Sequence, residues 1–400
     1  NNRFNFKIYI MNKSVVILGS TGSIGSTTLK SISKKKNYRI ILLSARTDIK
    51  KLLIQSIKYK CKNAIILDKE NFIKYEKKFK SKGIKLYYGF TSLKSILKKK
   101  VTYCINSISG IDGLYPTLKI IPLTKKILIA NKESIVCAWH LIEKELIKNN
   151  TEFIPLDSEH FSIWKLIKNE DYKNIEKVIL TASGGPFLNF PKKKIVNIKP
   201  KFALNHPNWK MGKKISIDSS TMMNKIFEFI EAKKIFNLNK NQLSILVHPS
   251  SFVHSIVFFK GQIIKILAHE TNMSIPISNA LDIYKNYNFK FYNKNINELN
   301  NLKFEIPNYK QFPLLSILRY LPQQCSYFET ILITINDYLV EKYLNNEINY
   351  ISIHLNLLRL IKSPFLLKYY KLKPKNIYDI KKVINLTKYY IKNKIKFYDR

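Results

Sequence analysis

The chain has 400 residues, 46% of them hydrophobic and 12% aromatic, enough for a large core in two or three domains and too apolar for global disorder. Its 69 Lys and Arg against 27 Asp and Glu give a formal net charge of +42. The lysines are spread along the chain in short runs such as Lys34–Lys36, Lys98–Lys100 and Lys192–Lys194, without interleaved aromatics. The excess therefore reads as the composition of an AT-rich bacterial genome, and a basic nucleic-acid-binding protein is kept only as a non-enzymatic alternative.

No apolar run reaches 18 residues; the nearest, SILVHPSSFVHSIVFF, is broken by His, Pro and Ser, so no membrane span is expected. Cys61, Cys104, Cys137 and Cys325 form no CxxC or zinc pattern, consistent with buried thiols in a reducing compartment, the cytoplasm. The first ten residues, NNRFNFKIYI, are too short for a signal or transit peptide, and Met11 reads as the natural start.

Taken in chain order, SVVIL (14–18) is an apolar run ending in a Gly-rich turn, as a buried parallel strand does. A helical stretch (23–33) follows, then the strand-like runs RIILLSA, AIILD, YCINSI and KILIA, separated by Lys-rich helical stretches. This alternation predicts an α/β fold with an N-terminal, doubly wound parallel sheet of Rossmann type over 11–150. From 151 the pattern changes. EFIPLD, KVILTA, SILVHP and SFVHSIVFF read as strands around one strong helix, MMNKIFEFIEAKKIF, and predict a central α+β domain over 151–285. The polar stretch 286–313 reads as a linker, and 314–400 as a C-terminal α-helical bundle.

Gly19-Ser-Thr-Gly22-Ser-Ile-Gly25 joins the first strand to the first helix. Such a turn lets backbone N–H groups and a helix N-terminus face a pyrophosphate, so Thr21, Gly22, Ser23 and Ile24 are candidate dinucleotide contacts. At the end of the second strand stands Ala45-Arg46-Thr47, where an NAD enzyme usually carries an acid; a guanidinium there suits a 2′-phosphate and favours NADPH. Asn131, Lys132 and Glu133 follow the strand KILIA, at the edge where ligands bind such sheets: Lys132 is read towards substrate, Asn131 and Glu133 towards cofactor.

Asp157 and Glu159 end the predicted strand EFIPLD and, two residues apart on an extended chain, present two carboxylates to one spot. A hard divalent cation resolves their repulsion, and Glu228 is the third candidate ligand; His160 is read as a structural histidine. Ser219, Asn224 and Lys225, at the entry of the strong helix, make a candidate phosphate site, and Ser183-Gly-Gly a second anion contact.

The motifs LGSTGSIG (18–25), GLYPTLKII (113–121), ANKES (130–134), PLDSEH (155–160), SGGPF (183–187), HPNWKMGKKISIDSSTMMNK (206–225) and EFIEA (228–232), in this order, closely resemble the 1-deoxy-D-xylulose 5-phosphate reductoisomerase family of the non-mevalonate isoprenoid pathway. The resemblance thins after about residue 270. It implies a V-shaped homodimer using NADPH and Mg²⁺ or Mn²⁺ (or Co²⁺) on a phosphorylated deoxyketose. The carbon skeleton is rearranged by retro-aldol cleavage and aldol rejoining to an aldehyde, which NADPH reduces to 2-C-methyl-D-erythritol 4-phosphate. The alternative enzyme is another NADPH-dependent reductase of a phosphorylated sugar or related acid.

The resemblance also implies cofactor contacts at Thr21, Gly22, Ser23, Ile24, Ala45, Arg46, Thr47, Asn131, Glu133 and Gly212, and metal ligands at Asp157, Glu159 and Glu228. It implies substrate contacts at Lys132, Ser158, Glu159, Ser183, His206, Ser219, Asn224, Lys225 and Glu228. Of these, Lys132, Glu159, His206, Lys225 and Glu228 are the expected catalytic residues. Ala45 stands where the family usually has Gly, Thr47 where it has Asn, Ile226 where it has Gly, and Asn272 and Ser274 where it has Asp and Arg. Within His206–Gly212, Trp209 and Met211 are read as a flap that excludes water.

Overall fold

Seven short apolar runs line up as one parallel sheet. The computed structural model describes residues 12–33, 35–191, 195, 197–209, 211–283 and 293–394. Met11, Lys34, Lys192–Lys194, Lys210 and the first part of the expected linker (286–292) lie outside these. The strands are β1 (Lys13–Leu18), β2 (Tyr38–Ala45), β3 (Asn63–Ile66), β4 (Lys85–Tyr88), β5 (Val101–Asn106), β6 (Thr124–Ile129) and β7 (Glu152–Pro155), in the order β4-β3-β2-β1-β5-β6-β7. Every neighbouring pair is parallel. The continuous apolar character of β1 has a direct cause: Val16 and Leu18 feed one core, Val15 and Ile17 the other, so both faces are covered. The winding reverses between β1 and β5, which opens a crevice beyond the carboxyl ends of the strands.

The α/β class expected from sequence holds, with differences in detail. β7, expected in the second domain, hydrogen-bonds β6 along Lys126–Ile129, so the break placed at residue 150 falls one strand short of the sheet edge. A strand's own residues do not say which sheet it joins. β4, short and at the opposite edge, has no counterpart among the expected strands.

The second sheet runs β11-β10-β8-β9, from β8 (Ile175–Ala182), β9 (Leu243–Val247), β10 (Val253–Phe259) and β11 (Ile263–Ala268). β8 and β9 are parallel and the other pairs antiparallel. β11, also absent from the expected strands, is an edge strand exposing Ile263, Ile264 and Ile266 at 56%, 54% and 48%. The Met223–Ile235 helix packs on β8 and β9 and on the Lys132–Lys148 helix of the first sheet. Its Phe227 and Ile230 belong to one continuous core with Val178 and Leu180 of β8 and with Ile331, Leu332 and Leu339 of the Phe328–Leu344 helix. That helix packs against Tyr350–Leu360 and Ile377–Lys394 to form the C-terminal helical region.

Two expectations here change. LLSILRYL, read by its period as an α-helix, is a tighter 3-10 run, Pro313–Tyr320. The expected linker is not irregular throughout: Asn293–Asn300 is helical, and Glu305 bridges Val247 through two backbone hydrogen bonds of 2.8 and 2.9 Å. Leu302 and Phe304 pack on Ile179, Val253 and Ile256, which draws this polar stretch onto the second sheet. Among the described residues, no helix is long and apolar enough to cross a membrane.

Candidate active site

The turn after β1 opens one end of a cavity of about 530 Å³ lying between the two sheets, with Gly22, Ser23 and Ile24 in its wall. Gly25 is required by close approach: a Cβ there would lie 2.5 Å from the Gly19 carbonyl oxygen. The N-terminus of the Ser23–Ser33 helix is thereby held at the cavity. Asn131 caps the Lys132–Lys148 helix, its Oδ1 accepting from the Ser134 N–H at 3.0 Å, while its Nδ2 donates to the carbonyls of Ile108 (2.6 Å) and Gly110 (2.8 Å) and to Glu133 (3.1 Å). Asn131, Glu133 and Gly212 join the cavity wall. Thr21, Ala45, Arg46 and Thr47 do not line it. Ala45 is buried, and Arg46 is 72% exposed, pairing with Asp112 at 3.0 Å.

At the other end the structure brings together Asp157, Glu159 and Glu228, each offering an oxygen within 4.8 Å of the others. The local reason differs from the strand alternation expected. Pro155 ends β7, and Asp157 is the N-cap of the Ser158–Leu166 helix, with φ −60° and ψ 138°, its side chain accepting from the Glu159 N–H. The two carboxylates converge because one is the cap and the other lies in the first turn. Glu228 arrives from the second turn of the Met223–Ile235 helix.

Two ammonium groups thread these acids. Lys132 lies 3.1 Å from Asp157 and 3.4 Å from Glu228, and donates to Asn224 Oδ1 at 2.6 Å. Lys225 lies 2.7 Å from Glu159 and pairs with Glu228, which also accepts from Asn224. Burial lowers both lysines, but the surrounding carboxylates outweigh it and hold them above their ordinary values. Burial also pushes Asp157 up, yet Lys132 and His160 leave it well below the usual carboxylate range. Glu228 is raised to about 7, first by burial and then by Glu159. Three carboxylates converging on one point, an all-oxygen set, fit a hard divalent cation.

His160 is fully buried behind this cluster. Its Nε2 lies 2.9 Å from the Glu228 carbonyl oxygen and its Nδ1 3.3 Å from Asp157 and 3.9 Å from Glu231. Burial lowers it, but Glu231 and Asp157 carry it up to about 9, and Nδ1 faces their carboxylates without a hydrogen bond. The ring reaches two of the three candidate ligand residues, and with Asp157 and Glu231 it forms a second group of converging ligand atoms behind the first.

His206 and Ser183 meet across the substrate region. His206 Nδ1 accepts the backbone N–H groups of Asn208 (3.1 Å) and Trp209 (3.0 Å), and burial lowers the ring to about 4. The proton therefore sits on Nε2, which donates to Ser183 Oγ at 3.0 Å. The same oxygen accepts the Gly185 N–H at 3.1 Å, leaving the hydroxyl proton free to donate into the cavity. Gly185, at φ +67°, lets this loop pass so close to Ser219 and Ser220 that a Cβ would stand 3.0 Å from their backbone.

Ser219 is not at the entry of the strong helix. It lies in the last turn of Lys213–Ser220, and Met222, at φ +63°, makes the break between the two helices. Ser158 lines the cavity and donates to Glu159 at 2.5 Å. Trp209 and Met211 also line it, Trp209 standing edge-on to His254 at 6.1 Å. Sequence reading missed Ser251, His254, Asp218, Lys214 and Met273 in the same wall. His254 sits in a strand buried on both faces, where its side chain reads as core, and its stacking on His269 at 3.8 Å sets it apart.

Residues 15–139 match the family described as 1-deoxy-D-xylulose 5-phosphate reductoisomerase, 153–236 match the C-terminal domain of that enzyme, and 269–397 match the DXP reductoisomerase C-terminal domain. The chain is 49% identical over 382 residues to the 1-deoxy-D-xylulose 5-phosphate reductoisomerase of Pelagibacter ubique, covering 94% of this chain and 97% of that one. It is 38% identical to that of Clostridium novyi over 394 residues, 96% of this chain and all (100%) of the relative. Among solved structures, a DOX-P reductoisomerase in complex with NADPH, fosmidomycin and magnesium superposes with a TM-score of 0.85 at 31% identity, over 95% and 98% of the two chains. The Zymomonas mobilis reductoisomerase in complex with NADPH gives 0.83 at 28%, over 94% and 97%.

Proposed function

Because this chain belongs to the 1-deoxy-D-xylulose 5-phosphate reductoisomerase family, we propose that it converts 1-deoxy-D-xylulose 5-phosphate to 2-C-methyl-D-erythritol 4-phosphate with NADPH and Mg²⁺ or Mn²⁺. The observation that carries this reading is a single cavity shared by the turn Gly22–Ile24 and the acids Asp157, Glu159 and Glu228.

When bound, the cation supplies Lewis acidity and NADPH a hydride. Asp157, Glu159 and Glu228 hold the cation. Lys132 and Lys225, already placed among these acids, balance charge as substrate oxygens ionise. Ser183, with its proton free, and Ser219 across the loop contact bind the substrate phosphate with Asn224 and Lys225. His206 stays neutral at pH 7 and keeps the Ser183 hydroxyl oriented. Trp209 and Met211 exclude water, and Gly212 lets the cofactor approach the backbone. Thr21, Gly22, Ser23 and Ile24 would face the pyrophosphate, with Ala45, Arg46 and Thr47 at the adenosine end and Asn131 and Glu133 at the other.

The protein is a cytoplasmic homodimer in this reading. The exposed isoleucines of edge strand β11 support it, because an uncovered apolar edge favours pairing with a second copy. The test is NADPH consumption by the purified protein. It requires 1-deoxy-D-xylulose 5-phosphate and Mg²⁺ or Mn²⁺ together. Folded protein that consumes no NADPH with both present overturns the assignment.

A further inference from the structure

Lys214 stands one residue into the Lys213–Ser220 helix, directly after the flap, and its ammonium has three protons to place. Glu133 at 3.1 Å and Asp218 at 3.0 Å accept two of them, and a third carboxylate oxygen, from Asp337, lies 3.1 Å away as an ion-pair partner without a hydrogen bond. Asp218 is fixed in turn by Asn336 Nδ2 at 2.7 Å, and the ammonium lies 5.6 Å from the centre of the Phe227 ring. Glu133, Lys214 and Asp218 line the cavity, whereas Asp337 and Asn336 belong to the Phe328–Leu344 helix of the C-terminal region.

Glu133 is 9% exposed and shares its other oxygen with Asn131. Without a cation beside it, it would present a bare carboxylate to a cavity that receives a polyanionic dinucleotide. Burial raises Glu133, and Lys214 more than reverses this. Lys214 is itself lowered by burial and raised well above its ordinary value, chiefly by Asp218 and Asp337.

We propose that Lys214 is a positioning residue for the dinucleotide, holding Glu133 neutralised and in place beside the cavity, and that Asp337 anchors this ion pair in the C-terminal helical region. The proposal rests on the functional reading above. It gives the C-terminal region a part in cofactor binding without touching the cofactor.

The experiment is fluorescence titration of the full-length variants with NADPH, no substrate present, alongside thermal melting and steady-state kinetics. Lys214→Met weakens NADPH binding about tenfold, the scale of removing one ion pair beside the site. Lys214→Arg, which keeps the charge, stays within about threefold. Asp337→Ala weakens binding about threefold and adds nothing in the Lys214→Met background, because it acts only through that lysine. In each variant kcat at saturating cofactor changes less than KM for NADPH. The proposal is overturned if Lys214→Met binds NADPH as wild type does, if Lys214→Arg falls as far as Lys214→Met, or if the two losses add. Should Lys214→Met not fold, Asp337→Ala and Lys214→Arg decide it: unchanged binding in the first, or a tenfold loss in the second, overturns it. Wild-type protein that binds no NADPH overturns the functional reading and this inference with it; wild type that binds while Lys214→Met binds equally overturns this inference alone.

Discussion

At the carboxylate end of the cavity, Lys225 and Glu228 are 5% and 2% exposed and held in a mesh of ion pairs with Lys132, Asp157 and Glu159; just past β2, outside the cavity wall at the proposed adenosine end, Arg46 and Asp112 are 72% and 57% exposed and meet in a single surface pair. Burying charge is expensive unless each group is paired, and removing one partner then strands the others. An exposed pair is screened and worth little, so it rearranges freely when a better partner arrives. One end is therefore set before any ligand binds, and the other takes its final form from the ligand.

The sharpest way to break this contrast is Glu228→Gln. The change keeps shape and removes one of three converging carboxylates. We expect turnover to fall by about a thousandfold or more, the scale of losing charge stabilisation at a reacting centre. NADPH binding, measured by fluorescence, should stay within about threefold, since that end is separate. Retained turnover would remove Glu228 from the ligand set.

Acid provides a second test of the buried end. His254 and His269 stack beneath it, and burial lowers them from 6.5 to about 4 and about 3. The unfolded chain thus takes up their protons first as pH falls. Stability from these rings is fully present above 6.5 and is lost progressively towards pH 4 and 3. The loss is roughly 2 kcal/mol per ring by pH 5. Urea midpoints at pH 7 and 5 measure it, and His269→Gln should flatten the slope. An unchanged slope would place the acid sensitivity elsewhere.

The same contrast explains what is legible in the sequence. The parallel strands announce themselves because burial on both faces demands continuous apolar runs, as in β1. β4 and β11 lie at sheet edges, where one side is open and the pattern weakens. β7 is legible as a strand but not as a member of the first sheet, since pairing is long-range information. At the site, Asp157 and Glu159 stand out as acids in a basic chain, although the geometry that joins them is a helix cap and not a strand. Lys214, His254 and Glu231 are not legible, because each acquires meaning only from partners far along the chain: Asp337, His269 and His160. Ser219 falls at a different helix end from the one expected because nothing local marks the left-handed turn at Met222.

Glu231→Gln probes the layer behind the ligands. Glu231 is raised to about 8, by burial first, with His160 opposing; its carboxylate lies 3.9 Å from His160 Nδ1, and the same ring reaches Asp157 at 3.3 Å and the Glu228 carbonyl oxygen at 2.9 Å. Replacing this carboxyl by an amide beside His160 should weaken Mn²⁺ binding, read by titration calorimetry, roughly 10- to 100-fold, as outer-layer partners of ligands do. Unchanged Mn²⁺ affinity would confine His160 and Glu231 to packing.

The smallest effect is expected at the exposed end. Among the described residues Arg46 is held by Asp112 alone, and that pair must open for a 2′-phosphate to take the guanidinium. Because the surface pair contributes little, exchanging it costs little, and the gain from a doubly charged phosphate is kept almost whole. Arg46→Ala should therefore weaken NADPH binding about tenfold while leaving NADH binding unchanged, since only the 2′-phosphate is lost as a partner. Asp112→Asn should do the reverse and tighten NADPH up to about threefold by freeing Arg46 in advance. Equal losses for NADPH and NADH in Arg46→Ala would mean that Arg46 serves the pyrophosphate instead. In that case the adenosine end would be set before binding after all, and the division between a prepared end and an adaptable one would fail there.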